Sequence, residues 1–206
     1  MSADRSGSRR AAFLDRDGVI NVDRGYVSQR EDFVFVDGVL DGARRLHDLG
    51  FALVVATNQS GIGRGLYGID AYEQLTDWMK TQFEAAGAPL AGVYYCPHHP
   101  TDALGDYRRT CDCRKPAPGM LFAAARGLGL DLGNSALFGD KESDLLAARA
   151  AGVPVRVLLG TDAAALPASP ALVGLATAVF RRLDEAVADQ RLLASLGVPA
   201  SPVGGW

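Results

Sequence analysis

The stretch Ala11-Ala12-Phe13-Leu14-Asp15-Arg16-Asp17-Gly18 decides how this chain reads. Four apolar residues in succession, too few for a helix, fit a short strand buried on both faces, as in parallel sheets. The strand runs straight into two carboxylates two residues apart, where repulsion is costly unless a cation intervenes. An isolated Asp-x-Asp is usually a solvated turn. A calcium loop of EF-hand type fits poorly, because the acidic series stops and the flank is a strand. The sharper reading is a metal-assisted site in which one carboxylate attacks or binds metal and its neighbour moves protons.

Working outward, similar apolar runs recur over 51–56, 92–95, 136–138 and 155–159, while helical spacing fills 39–49, 70–86, 119–128 and 142–151. Gly50, Gly87, Gly129 and Gly152 stand where helix C-terminal caps are expected. This alternation predicts one α/β domain over 11–196, a single doubly wound parallel sheet whose ligands bind beyond the carboxyl ends of the strands. Residues 1–10 are expected to be disordered and 197–206 a loose tail, with a helix over 178–196 and no catalytic role after 161.

The 206 residues carry 21 Lys plus Arg against 24 Asp plus Glu, a net charge of -3, which excludes a polybasic nucleic-acid or membrane-surface protein as the default. A hydrophobic share of 48% is ordinary globular usage. No apolar run approaches the roughly 18 residues that span a bilayer, and the polar opening Met1 to Arg10 has no signal-peptide core. A cytoplasmic monomer with neither nucleic-acid nor membrane partners is the expectation.

Further strand ends carry chemistry. Thr57-Asn58-Gln59-Ser60-Gly61-Ile62-Gly63 offers hydroxyls and backbone N–H groups for phosphate oxygens but matches neither dinucleotide nor P-loop spacing. Arg114-Lys115-Pro116 precedes a helix, and Gly139-Asp140-Lys141-Glu142-Ser143-Asp144 follows the next strand. Each piece alone reads as turn or solvated surface. Their joint order is the stronger signal.

Three cysteines leave one over in any disulfide scheme, and all lie between Cys96 and Cys113. Cys96 with His98 and Cys111 with Cys113 form two close pairs flanking a polar loop that has no core to order it. Four such ligands suit closed tetrahedral Zn²⁺, so the loop 96–113 is expected to be zinc-stapled, with His99 the weaker candidate and His47 on a helix surface. The alternative is three free thiols and a surface histidine. Cys113 stands two residues from Lys115, so ordering the loop would set Arg114 and Lys115.

Taken in order, Asp15-x-Asp17, Thr57, Lys115 and Gly139-Asp140-x-x-x-Asp144 resemble the haloacid dehalogenase (HAD) superfamily of aspartate-nucleophile phosphohydrolases across residues 11–159. The resemblance implies a HAD-like Rossmannoid fold with Asp15 as nucleophile and Asp17 as general acid, protonated at the outset, and then base. Thr57 and Lys115 would contact the phosphoryl group. Asp15, the Asp17 backbone carbonyl and Asp140 would hold Mg²⁺, and Asp144 would orient Lys115 or support the metal. Members commonly insert a cap domain. Here only about twenty residues separate Asp17 from the first helix, and the zinc loop fills the other insertion point, so the domain is expected to be essentially capless.

Within the superfamily, Phe13 to Asn21, Gly25-Tyr26-Val27, Thr57 to Ile62, Tyr94 to Pro100 and Cys111 to Pro116 are similar to the D-glycero-D-manno-heptose-1,7-bisphosphate 7-phosphatases. Histidinol-phosphate phosphatases are the related alternative, but tend to have Asp where Ser60 stands. The heptose reading makes a sugar bisphosphate the substrate, lined by Asp23, Arg24, Gly25 and Tyr26 and by Thr57, Asn58, Gln59 and Ser60. Arg114 would hold the distal phosphate. The anomer preference is not readable. Gly63 departs from a frequent Ala, with little consequence expected beyond loop flexibility. Two other classes stay open: a nucleotide-sugar glycosyltransferase, which leaves Lys115 and Asp140 unexplained, and a catalytically silent zinc-stapled sugar-phosphate binder.

Overall fold

Side chains alternate along each strand between two hydrophobic layers, which demands helices on both faces of the sheet. The computed structural model describes residues 9–160 and 170–199. Six strands, β1 (Ala11–Leu14), β2 (Ala52–Asn58), β3 (Leu90–Cys96), β4 (Ala136–Gly139), β5 (Val155–Leu159) and β6 (Ala178–Phe180), pair in the order β3-β2-β1-β4-β5-β6, all parallel. Phe13 is in register with Val54 on one side and Leu137 on the other. These three side chains belong to one layer, whereas Leu14, Val55 and Phe138 belong to the other.

The second layer is completed by α1 (Val39–Asp48), α3 (Ile69–Ala85), α7 (Leu183–Ala188) and α8 (Gln190–Ser195), through residues such as Leu46, Met79, Phe83 and Leu192. The first is completed by α4 (Gly119–Leu128), α5 (Glu142–Ala150) and α6 (Pro170–Leu175), through Leu121, Leu145 and Leu172. A single turn, α2 (Ser60–Gly63), follows β2. Gly50, Gly87, Gly129 and Gly152 all take the positive φ expected just past a helix end. No helix among the described residues is long and apolar enough to cross a membrane.

Four sequence expectations need correction. The strand at 92–95 is not buried on both faces: β3 is an edge strand, half-buried along most of its length. The helix expected over 178–196 begins instead as β6, because β5 has a free edge that Val179 and Phe180 can pair with and pack against. The remainder is broken into α7 and α8 at Asp189, whose carboxylate accepts from the backbone N–H groups of Arg191 and Leu192. The opening segment is anchored at its end: Arg9 bridges to Leu130, and the Arg10 guanidinium lies 4.2 Å from the Phe51 ring and donates to the Leu196 carbonyl at 2.9 Å. Val198, in the expected loose tail, packs on the core. Residues 1–8, 161–169 and 200–206, with the remainder of those expectations, lie outside the described residues.

The chain builds outward from β1 to β3, then crosses back to build β4 to β6 on the other side. The strand order therefore reverses between β1 and β4, and the carboxyl ends there open a crevice. The fully buried Phe13 sits at this switch point. Phe13→Ala should cost about 3–5 kcal/mol of unfolding free energy in urea titration; a loss under about 1 kcal/mol would contradict the packing described.

Candidate active site

Asp15 is the first residue past β1, its N–H donating to the Phe138 carbonyl of β4 at 3.1 Å. Asp140 comes directly after β4, and Asp144 lies in the first turn of α5. One carboxylate oxygen from each of the three lies within 4.8 Å of the others. The approach is possible because Gly18 has no side chain: with φ of 101°, its place would put a Cβ 2.1 Å from Asp140 Oδ2.

Three carboxylates so close repel one another, and one buried cation offsets part of that. Lys115 Nζ lies 2.9 Å from Asp15 Oδ1, 2.7 Å from Asp144 Oδ1 and 2.7 Å from the Ala56 carbonyl, which occupies all three of its N–H donors. Burial opposes the lysine's charge, but the Asp144 and Asp15 carboxylates overcome it and hold Lys115 above its ordinary pKa. Burial pushes Asp15 up, against the pull of Lys115. Asp140 fares worse: burial and the neighbouring Asp15 charge push it up to about 8, and its buried Oδ1 has no hydrogen-bond partner among the described residues. An orphaned oxygen facing a second carboxylate suits a hard divalent cation such as Mg²⁺, which prefers oxygen ligands.

The Asp17 carboxylate accepts from Arg16 Nε and Nη2, Asn21 Nδ2 and Gln59 Nε2 at 2.9–3.2 Å. Gln59 Nε2 also reaches Thr57 Oγ1 at 2.9 Å, and Tyr67 Oη donates to Gln59 Oε1 at 2.7 Å. Tyr67 thus orients the amide that joins Thr57 to Asp17. To serve as an acid or base toward a substrate, Asp17 must exchange one of these donors for the substrate oxygen. Arg16 is buried in full and also donates to the Val27 carbonyl at 2.7 Å.

A cleft of about 300 Å³ opens over these groups. Of the expected residues, Asp15, Asp17, Asp23, Gly25, Tyr26, Thr57, Asn58, Gln59, Ser60 and Lys115 line it, and Arg24, Arg114 and Asp140 do not. Arg114 Nη1 instead donates to the His98 carbonyl at 3.1 Å. The Asn58 amide is engaged inside the protein, donating to the Lys115 carbonyl and accepting from the Lys115 N–H. Sequence reading passed over Tyr67 and Lys141, which also line the cleft. Lys141 Nζ bonds Asp23 Oδ2 at 2.9 Å. Its position beside Asp140 was the available signal; Tyr67 had none.

Cys96, His98, Cys111 and Cys113 come together as expected, their ligand atoms all within 4.8 Å. The sulfurs lie 3.0–3.5 Å apart, and His98 Nδ1 lies 3.3 Å from Cys113 Sγ and 3.6 Å from Cys96 Sγ. Sulfurs each about 2.3 Å from a tetrahedral zinc would stand roughly 3.7 Å apart. Three thiols and an imidazole closing on one point fit that ion and leave no position for substrate. His99 stays outside, its Nδ1 accepting from the Asp102 N–H, and His47 is exposed on α1. The cluster is rooted in the sheet, because Cys96 ends β3 in register with Asn58, and its carbonyl accepts from Gln59 N at 2.8 Å. Gly63 differs from expectation: a Cβ there would stand 2.3 Å from the Pro97 carbonyl, so a methyl group forces the zinc loop off α2 rather than merely stiffening a turn.

Comparison with known proteins agrees with this geometry. The sequence model of the HAD-hydrolase-like family matches residues 112–186. The chain is 48% identical over 151 residues to the D-glycero-beta-D-manno-heptose-1,7-bisphosphate 7-phosphatase of Vibrio cholerae, covering 73% of this chain and 81% of that one. It is 51% identical to the enzyme of the same name from Escherichia coli K12, covering 73% and 79%. Among solved structures, the D,D-heptose 1,7-bisphosphate phosphatase from B. bronchiseptica, complexed with magnesium and phosphate, superposes with a TM-score of 0.73 at 29% identity, covering 90% of this chain and 99% of that one. A parallel sheet reversing at β1 and β4, carboxylates gathered on a buried lysine and kinship at this level place the chain in the heptose-bisphosphate phosphatase family of HAD-like hydrolases.

Proposed function

We propose that this phosphatase is Mg²⁺-dependent and removes the 7-phosphate of D-glycero-β-D-manno-heptose 1,7-bisphosphate, leaving heptose 1-phosphate. The observation that carries the chemistry is Lys115 shared between Asp15 and Asp144 beside the orphaned Asp140 oxygen. The substrate and its β anomer are taken from the names of the relatives. Asp15, Asp140 and the Asp17 backbone carbonyl would hold Mg²⁺, and Cys96, His98, Cys111 and Cys113 would hold Zn²⁺. Bound Mg²⁺ supplies charge neutralisation for a phosphoryl dianion meeting carboxylates.

The residues divide the remaining work. Thr57 Oγ1 binds a phosphoryl oxygen, and Lys115 Nζ reaches another by giving up one of its three donors within the protein, its buried charge being stronger there than in water. Both Lys115 and the Arg16 N–H contact Asp15 through Oδ1, which leaves Oδ2 as the attacking oxygen. Attack gives an aspartyl-phosphate as the sugar O7 leaves with a proton from Asp17. Asp17 then takes a proton from the water that hydrolyses the acyl phosphate. The distal phosphate is met by Lys141, half-exposed on the cleft. A zinc-closed thiolate cluster requires a reducing compartment, which fits the cytoplasm.

The test is phosphate release with Mg²⁺ from both heptose bisphosphate anomers, fructose 1,6-bisphosphate and histidinol phosphate. The β-heptose bisphosphate should have the highest kcat/KM; preference for histidinol phosphate would overturn the substrate assignment. Asp15→Asn should lower turnover by at least about a thousandfold while preserving fold and zinc content, and surviving turnover would remove Asp15 as nucleophile. Stripping zinc, verified by metal analysis with Mg²⁺ resupplied, should depress activity by misplacing Lys115. Full activity of the zinc-free protein would contradict that role.

A further inference from the structure

The loop 23–26 crosses the mouth of the cleft with little to hold it. Asp23, Gly25 and Tyr26 all line the cleft, and the whole segment is exposed. Gly25 and Tyr26 both take positive φ, 75° and 53°, a conformation that costs free energy for a tyrosine and persists only where the surroundings enforce it. Asp23 caps the Gly25 N–H at 2.9 Å and is tied to Lys141 on the β4 side. The Tyr26 ring, 47% exposed, needs a second anchor.

That anchor is Arg64, just past α2. Its guanidinium carbon lies 5.7 Å from the Tyr26 ring centre, and its Nη2 lies 3.0 Å from Asp102 Oδ2 in the zinc loop. Asp102 is itself fixed, its other oxygen accepting from Thr101 Oγ1 at 2.9 Å and its N–H donating to His99 Nδ1 at 3.0 Å. The Arg64 side chain is only 26% exposed, and its Nε is buried without a partner among the described residues, so this is not a solvated surface cation. The backbone beneath it is docked on the zinc loop: Leu104 N–H donates to the Gly63 carbonyl at 2.7 Å, and only a glycine at 63 leaves room for the Pro97 carbonyl.

We propose that Arg64, gripped by Asp102 of the zinc loop, is a positioning residue that fixes Tyr26 at the mouth of the cleft and so couples substrate affinity to the zinc loop. The inference rests on the cleft being the phosphatase's substrate site. Arg64 touches no reacting atom, so its removal acts on binding and leaves the chemical step alone.

The test compares Arg64→Ala, Asp102→Asn and Tyr26→Ala with the wild type, in the zinc-loaded enzyme with Mg²⁺ and the heptose bisphosphate. Arg64→Ala should raise KM about two- to fivefold, the scale of an exposed cation–π contact, with kcat within about twofold and zinc content unchanged. In a Tyr26→Ala background the same change should add nothing. Asp102→Asn, at an exposed position that keeps the fold, should raise KM in the same direction. Amide exchange over residues 22–27 should quicken in Arg64→Ala, a readout independent of turnover. An unchanged KM with unchanged exchange, or a KM rise just as large in the Tyr26→Ala background, would overturn the proposal. A wild type inert on heptose bisphosphate would instead sink the substrate reading, leaving the exchange comparison to judge Arg64.

Discussion

Everything at the carboxyl end of the sheet depends on one electrostatic constraint: Asp15, Asp140 and Asp144 are packed within 4.8 Å of each other around a lysine with every donor taken. A lone lysine neutralises one negative charge of three, so the cluster is stable only if Asp140 gives up its charge or a cation arrives. The upward push on Asp140 expresses the first outcome, and the proposed Mg²⁺ would supply the second. The same crowding suits the site to a divalent ion and, through it, to a phosphoryl group.

The zinc loop belongs to this constraint and is more than an appendage. It begins at the end of β3, beside Asn58, and returns at Cys113, two residues before Lys115. Asn58 then clasps the Lys115 backbone from the β2 side. The lysine is thus positioned by two attachments, one from the sheet and one from the loop that carries the Cys/His cluster. Among the described residues, short loops line the cleft, with Lys141 and Arg64 tying the 23–26 segment from opposite sides.

Much of this was legible in the sequence because its signals are local. Apolar runs ending in Asp15, Thr57 and Gly139 mark the strands and the chemistry at once, and four metal ligands in two close pairs mark the loop. What sequence reading missed depends on tertiary pairing. Ala178 to Phe180 is only three residues long, too short to read as a strand by itself, and becomes β6 because β5 offers an edge. The heptose resemblance gives Arg114 the distal phosphate, yet its guanidinium meets the His98 carbonyl, a contact that exists only once the 96–113 loop has closed. Tyr67 reaches Gln59 only after α2 has turned the chain back, and the consequence of Gly63 appears only when Pro97 is set against it.

The most direct test of the account is calorimetric titration of Mg²⁺ into the zinc-loaded protein and its Asp140→Asn variant. The account predicts one Mg²⁺ per chain for the wild type and an affinity weaker by at least about tenfold for the variant, with zinc retained in both. Undiminished Mg²⁺ binding by Asp140→Asn would show that the carboxylate cluster is not the metal site and would contradict the account at its centre.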